Sequence, residues 1–331
     1  MGTPDSEGEA VIRVATIGTS MITRRFAAAL SEVEGIELAC VYSRDGERAA
    51  AVARELGAST SESSLERLLD SPAIDAIYIA SPNTVHHRQA LAAIQAGKHV
   101  LVEKPATTSA AQTAELVTAA RGAGVVFLEA IRSLYDPGYV QIRELLPRLG
   151  QILRVTLRFH QRSPRYDRVL AGESVNVFDP AMGGGALYDL GVYCAQALVH
   201  LFGEPDHVLS ALVPVASGAD GAGVALAVYP GFVADLSFSK ITVSTLPNAI
   251  EGERGTLLID HVDDPRRLTL LSLDSTEEVF TVSKRGTDQL ANMADCAERF
   301  VAAIGGADIA GEQDRSIAAA RLIDAIRVVV S

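Results

Sequence analysis

Two short stretches hold residues able to move a proton. In the first, Lys98-His99-Val100-Leu101-Val102-Glu103-Lys104-Pro105, an acid, an amine and a proline follow three apolar residues. Val100 to Val102 read as a short buried strand of a parallel sheet, and open α/β sheets place their ligands at the carboxyl ends of such strands. Proline keeps Lys104 out of helical geometry, so its amine projects from the strand end. Only four of the 29 Lys and Arg residues are lysine: Lys98, Lys104, Lys240 and Lys284. Arginine keeps its proton near neutrality, whereas a partly desolvated lysine can release it. A retained lysine therefore suggests an amine that titrates; an ordinary loop lysine beside Glu103 is the competing reading. In the second stretch, Gly183-Gly184-Gly185 introduces a helix over 186–201, on which Asp189 and Tyr193 stand four apart and share one face. An acid and a phenol are costly to bury on an otherwise apolar helix without a partner or a task. A simply hydrogen-bonded buried tyrosine is the alternative.

The elements that position these groups alternate in the first 130 residues. A strand over 11–17 leads through Gly18-Thr19-Ser20-Met21-Ile22-Thr23 into a helix over 24–30. Strand, tight turn and helix is the context of a dinucleotide fingerprint. Gly18 keeps its first glycine, while Ser20 and Thr23 hold the other two positions. Small hydroxyl residues still admit a pyrophosphate at a helix amino terminus; a plain strand-to-helix turn is the other reading. A second strand over 36–42 ends in Ser43-Arg44, with Asp45 as the cap of a helix over 47–56. An acid at that strand end would suit the free ribose hydroxyls of NAD, whereas arginine suits the extra phosphate of NADP. Further strands over 74–80, 100–102 and 125–128 alternate with helices over 64–69, 83–96 and 109–121. Ser81-Pro82-Asn83 opens the helix that carries His86 in its first turn, where a neutral ring is favoured. Repeated β-α units of this spacing indicate a doubly wound parallel sheet.

After Arg132 the pattern changes. A helix over 139–146 and a half-buried strand over 151–161 precede Arg162-Ser163-Pro164-Arg165-Tyr166-Asp167-Arg168, a turn-rich stretch that suits a solvated loop or a hydroxylated or anionic ligand. Arg162, Arg165, Tyr166 and Asn176 are the candidate pocket residues of this part. Strands over 208–215, 224–229, 233–243, 256–259, 268–273 and 279–283 suggest antiparallel order, and helices over 289–304 and 316–329 close the chain. The expected division is a loose tail over 1–10, a nucleotide-binding unit over 11–130 and a substrate-binding and oligomerisation unit over 131–331. With 331 residues, 48 % hydrophobic and 21 % charged, the chain is globular. Its net charge of −12 argues against nucleic acid or an anionic membrane as partner. No apolar run reaches the roughly 20 residues of a membrane helix. Three distant cysteines and seven unclustered histidines indicate neither a disulfide framework nor a metal site, and a reducing cytoplasm fits.

Taken together, the turn at Gly18, Ser81-Pro82-Asn83 with His86, Glu103-Lys104-Pro105, the Gly-Gly-Gly…Asp189-x-x-x-Tyr193 helix and Glu251-Gly252…Gly255-Thr256-Leu257 resemble the Gfo/Idh/MocA oxidoreductases. The resemblance implies an α/β fold: an amino-terminal Rossmann sheet and a carboxy-terminal α/β unit with an open, mostly antiparallel sheet that often forms the oligomer face. It implies that the last helices pack back on the first unit. Lys104 would be the catalytic lysine, Glu103 would hold the nicotinamide ribose or the lysine, and Asp189 would be the acid of the second motif. Tyr193 stands where many members have histidine, as in the glucose–fructose oxidoreductase and dihydrodiol dehydrogenase branches, where NADP is favoured. The implied cofactor contacts are Gly18, Thr19, Ser20, Met21, Ile22, Ser43, Arg44, Ser81, Pro82, Asn83, His86, Glu103, Lys104 and Arg132. The substrate contacts would be Lys104, Arg162, Arg165, Tyr166, Asn176, Asp189 and Tyr193, with no metal. The expected reaction is reversible oxidation of a carbinol carbon of a sugar, polyol or related alcohol with NADP or NAD, in a cytoplasmic homodimer or homotetramer. Tyr193 would take the hydroxyl proton beside a cationic Lys104; whether Lys104 or Tyr193 is the nearer base stays open. An NAD-dependent inositol or sugar dehydrogenase is the alternative enzyme, and a non-catalytic NADP-binding regulator the alternative of another class.

Overall fold

A computed structural model describes residues 11–284 and 292–328. The expected tail over 1–10, the expected helix start at 289–291 and residue 329 lie outside the described residues. Six parallel strands form the first sheet: β1 (Ile12–Ile17), β2 (Ile36–Tyr42), β3 (Thr60–Glu62), β4 (Ala76–Ile79), β5 (His99–Glu103) and β6 (Phe127–Ala130), in the order β3-β2-β1-β4-β5-β6. Their apolar runs are buried on both faces because helices cover both: α1 (Met21–Leu30), α2 (Gly46–Leu56), α3 (Leu65–Asp70), α4 (Asn83–Gln95) and α5 (Ala110–Ala123). Helix ends follow local chemistry. Asp45 caps α2 by accepting from the Arg48 amide, Ser109 caps α5, and Gly57 and Gly124 end these helices in left-handed conformations. Strand β6 sits two residues later than the expected 125–128. Strand β3 was not expected at all, since three polar residues at a sheet edge give no apolar signal.

Register decides where the loops meet. Ile17 pairs with both Tyr42 and Ile79, and Ile79 with Val102. The carboxyl ends of β1, β2, β4 and β5 are therefore level, and the segments following them face one another across the point where strand order reverses.

Helix α6 (Pro137–Leu145) leads into a second sheet of eight strands. These are β7 (Ile152–His160), β8 (His207–Pro214), β9 (Asp220–Tyr229), β10 (Phe232–Ser239), β11 (Asn248–Gly252), β12 (Gly255–Ile259), β13 (Arg267–Ser272) and β14 (Glu277–Thr281), ordered β14-β13-β12-β11-β7-β10-β9-β8. All neighbours are antiparallel except β7 and β10. Between β7 and β8 come the short α7 (Tyr166–Leu170) and α8 (Val192–Phe202), the latter entered through a wide π-type turn over Leu187–Gly191. One sheet face, with Val155, Leu157, Ala225, Leu236 and Phe238, buries the apolar α8. Gly191 lets this turn approach the sheet, since a Cβ there would lie 2.9 Å from the Phe238 ring. Two closing helices, α9 (Asn292–Ile304) and α10 (Ala310–Arg327), pack against α1 and against α5 and α8 respectively. Asp324 accepts from the Ala110 amide (2.8 Å), and Gln313 donates to the Phe127 carbonyl (3.1 Å), so α10 is tied to the first sheet. No helix among the described residues is long and apolar enough to cross a membrane.

Candidate active site

A cleft of about 1000 Å³ runs from the turn after β1, past the ends of β2, β4 and β5, to α8 and the second sheet. At one end the backbone makes a close crossing. Gly18 has φ +125°, and a Cβ on it would meet the Ala80 carbonyl oxygen at 2.5 Å. Only glycine serves there. Ser20 caps α1 without using its hydroxyl on the helix, so the hydroxyl and the first-turn amides form a polar cradle at a helix amino terminus. Ser43 and Arg44 line the wall beside it, together with Arg25, Arg48 and Arg88. This glycine crossing, the helix start whose Ser20 hydroxyl is not used on the helix, and the lining arginines fit the phosphates of a dinucleotide.

The other end collects the proton-moving groups. Lys104, at the end of β5, donates from Nζ to Asp189 Oδ1 (3.0 Å) and to the Asp189 carbonyl (2.8 Å). The same ammonium lies 4.8 Å from the centre of the Tyr193 ring. Tyr193 is 6 % exposed and is wedged edge-on against Phe159. From the opposite side Arg132 Nη2 donates to the Tyr193 hydroxyl (3.4 Å) and to Asp263 (3.3 Å), while its Nη1 donates to Asn292 (2.9 Å). Glu103 accepts from the Tyr78 hydroxyl (2.6 Å), and burial holds its carboxyl above the usual carboxylate range.

The surroundings of Lys104 favour its charged form, the cationic Lys104 expected beside Tyr193. Burial works against its charge, but Tyr193, Asp189 and Glu103 outweigh burial and raise its pKa, so the group stays an ammonium. Asp189 is the counterpart: burial opposes its charge, yet Lys104 and Lys240 hold the carboxyl well below the usual range. Such a constellation places fixed positive charge against a phenol whose own O–H remains free to donate. It suits proton transfer at a substrate hydroxyl or carbonyl.

Most of the residues singled out in the sequence line this one cleft: Gly18, Thr19, Ser20, Ile22, Ser43, Arg44, Ser81, Pro82, Asn83, His86, Glu103, Lys104, Arg132, Asn176, Asp189 and Tyr193. Met21 does not, because at the start of α1 its side chain points outward, 62 % exposed. Arg162, Arg165 and Tyr166 do not line it either. Arg162 is bonded to Asp167 and lies over the Tyr166 ring, and Tyr166 packs on the buried Phe178, so the stretch folds on itself at the surface. His86 is buried, its ring nitrogens 2.8 Å from the Ser81 carbonyl and 3.0 Å from that of Pro105. Burial lowers its pKa, so the neutral ring donates its one N–H to one of these carbonyls. Arg132, expected against the cofactor, bonds Tyr193, Asp263 and Asn292.

Sequence reasoning missed Lys240, Asp263, Asn292, Gln161 and the arginines beside Arg44. Lysine scarcity was a usable signal for Lys240; none marked Asn292, which is 160 residues from Arg132. Among the described residues no group of three or more His, Cys, Asp or Glu side chains is placed to hold a metal.

Comparison with known proteins agrees with this geometry. Residues 12–130 match the GFO_IDH_MocA family, described as an oxidoreductase family with an NAD-binding Rossmann fold, and residues 139–258 match the GFO/IDH/MocA C-terminal domain. The chain is 37 % identical over 320 residues to the NADP(+)-dependent scyllo-inositol 2-dehydrogenase IolU of Bacillus subtilis, covering 96 % of each protein. It is 32 % identical to a trans-1,2-dihydrobenzene-1,2-diol dehydrogenase of Xenopus tropicalis, covering 72 % of each. Among solved structures, the 3-ketoreductase KijD10 of Actinomadura kijaniata in complex with NADP and TDP-benzene superposes with a TM-score of 0.86 at 27 % identity, over 96 % of this chain and 97 % of that one.

Proposed function

Because the chain belongs to the Gfo/Idh/MocA family and is an NAD(P)-dependent oxidoreductase, we propose that it interconverts the carbinol and carbonyl forms of a sugar, polyol or related alcohol, with NADP as the preferred nucleotide. The observation that carries this reading is the meeting of Lys104, from the first sheet, with Asp189 and Tyr193, from the second part of the chain, at one end of the nucleotide cleft. Bound nicotinamide supplies the hydride acceptor or donor. The chain's own residues manage the proton and the charge. Tyr193 takes the hydroxyl proton as the alcohol is oxidised and returns it when the ketone is reduced. Arg132 donates to the Tyr193 oxygen, which stabilises the phenolate in the first direction and leaves the O–H pointing elsewhere in the second. In this reading Lys104, held by Asp189, orients and stabilises while Tyr193 exchanges the proton.

The NADP preference rests on Arg44 at the end of β2 and on the absence of an acid at Tyr42-Ser43-Arg44; Arg25, Arg48 and Arg88 line the same cleft. The relatives named as inositol, xylose and dihydrodiol dehydrogenases support a hydroxylated ring or chain as substrate. A purely regulatory NADP-binding role gives the Lys104–Asp189–Tyr193 arrangement nothing to do. Absorbance at the nicotinamide band, followed for a panel of inositols, pentoses and hexoses with each nucleotide, tests the reading. Turnover of a polyol or sugar faster with NADP than with NAD supports it; no substrate-dependent change with either nucleotide would refute it.

We also propose that the chain works as a homodimer or homotetramer. The outer face of β8, β9 and β10 exposes Leu209, Val213, Val224, Leu226 and Val233, with Leu209 directly opposite Leu226. A row of this kind on an open sheet suits a second copy of the chain.

A further inference from the structure

Asp189 serves two ammonium groups. Oδ1 accepts from Lys104 at 3.0 Å, and Oδ2 accepts from Lys240 at 2.6 Å. Lys240 follows β10 and is 4 % exposed at its side chain. Its Nζ also donates to the Val177 carbonyl (3.2 Å) and stands 5.1 Å from the centre of the Phe178 ring. A buried ammonium is retained only where its partners offset the lost hydration. Here they are a backbone carbonyl, an aromatic face and the carboxylate that also seats Lys104.

Lys104 and Asp189 alone sum to zero beside Tyr193, so the acid would largely cancel the field that the lysine places on the phenol. With Lys240 the trio carries one net positive charge. Lys240 also occupies Oδ2, so that Oδ1 is left for Lys104 in a single geometry. Resting on the reading of Tyr193 as the proton-exchanging group, we propose that Lys240 is a positioning residue of the reaction, acting through Asp189 to seat Lys104 and to offset the Asp189 charge beside the phenol. The other charged groups around Tyr193 are Arg132, Glu103 and Asp263, and substitution at 240 leaves all three in place. Asp220 is a further acid near Lys240; its carboxylate accepts from the Leu187 amide (2.6 Å), and substitution at 240 leaves it in place as well.

The test uses the full chain, with the nucleotide and polyol that the wild type turns over. Lys240→Met should lower kcat about tenfold or more and move the pH profile of alcohol oxidation upward by about one unit, with NADPH affinity unchanged. Lys240→Arg should restore most of both, since a cavity of about 190 Å³ beside Lys240 leaves room for the larger group. A residue that merely stabilised the fold would lower the melting temperature and leave the pH profile alone. Should Lys240→Met not fold, Lys240→Gln keeps a donor for Asp189 without the charge and decides the matter in its place. An unmoved pH profile with wild-type kcat in the uncharged variant overturns the role of Lys240. The two failures are distinct: a wild type inert toward every polyol overturns the function reading, whereas an active wild type matched by the uncharged variant overturns only this proposal.

Discussion

Replacing Asp189 by Asn removes one carboxylate and leaves two ammonium groups facing each other, Lys104 at 13 % and Lys240 at 4 % side-chain exposure. Breaking a buried ion pair from one side costs about 3–5 kcal/mol, because the remaining charge stays desolvated. The Asp189 side chain is 46 % exposed, so solvent screening brings this down to about 2 kcal/mol. With an unfolding entropy of roughly 2 cal/mol/K per residue over 331 residues, the melting temperature should fall by about 3 °C at pH 7. The pH dependence is diagnostic. In the wild type the Lys104 pKa is raised, so its contribution is complete below the ordinary lysine value and is lost only as pH rises through the higher folded value. That of Asp189 is lowered, so its contribution is complete above the ordinary carboxylate value and fades as pH falls through the lower folded one. Between pH 5 and 9 the wild type therefore gains its full stabilisation from this cluster. In the variant Lys104 loses one of the anions that raise its pKa, the folded chain holds that proton less tightly, and the gap between the two proteins narrows as pH rises. The deficit should shrink between pH 7 and pH 10 in melting curves followed by intrinsic tyrosine fluorescence. Identical melting temperatures for the two proteins at pH 7, or a deficit that grows toward pH 10, would refute the buried-cluster reasoning.

Two further outcomes follow from the cleft and the sheet. Arg44→Ala should weaken NADPH binding about 10- to 100-fold, the scale of one charge-assisted hydrogen bond, and leave NADH binding nearly unchanged in a fluorescence titration; equal losses for both nucleotides would remove Arg44 from the phosphate site. Leu226→Asp places a charge opposite Leu209 on the outer sheet face and should shift the light-scattering mass to a single chain; a wild type that already scatters as a single chain would contradict the proposed assembly.

How much was legible depended on whether a residue's role is local. Apart from β3, the strands of the first sheet are mainly apolar runs and the turns between them carry Gly18 and Asp45, so the alternation that places Lys104 could be read directly; Asp189 and Tyr193 were read from their spacing on one helix. Strand β11 was missed because Asn248–Gly252 is short and mixed; its pairing with β7 and β12, not its composition, makes it a strand. Arg162, Arg165 and Tyr166 lie outside the cleft for a related reason. Clustered arginines look like a ligand site until an acid five residues on, Asp167, is seen to take one of them. Arg132 was found, but its partners Asp263 and Asn292 come from distant elements, and nothing in a linear pattern joins them. The charge state of Lys104 was likewise set by side chains from another part of the chain.

The most direct measurement is the turnover of Tyr193→Phe against its nucleotide affinity. With Lys104 and Asp189 intact, loss of the phenol oxygen should lower kcat for alcohol oxidation about 10²- to 10⁴-fold, while the Kd for NADPH stays within about twofold of the wild type. Wild-type turnover in the phenylalanine variant would contradict the assignment of the proton to Tyr193.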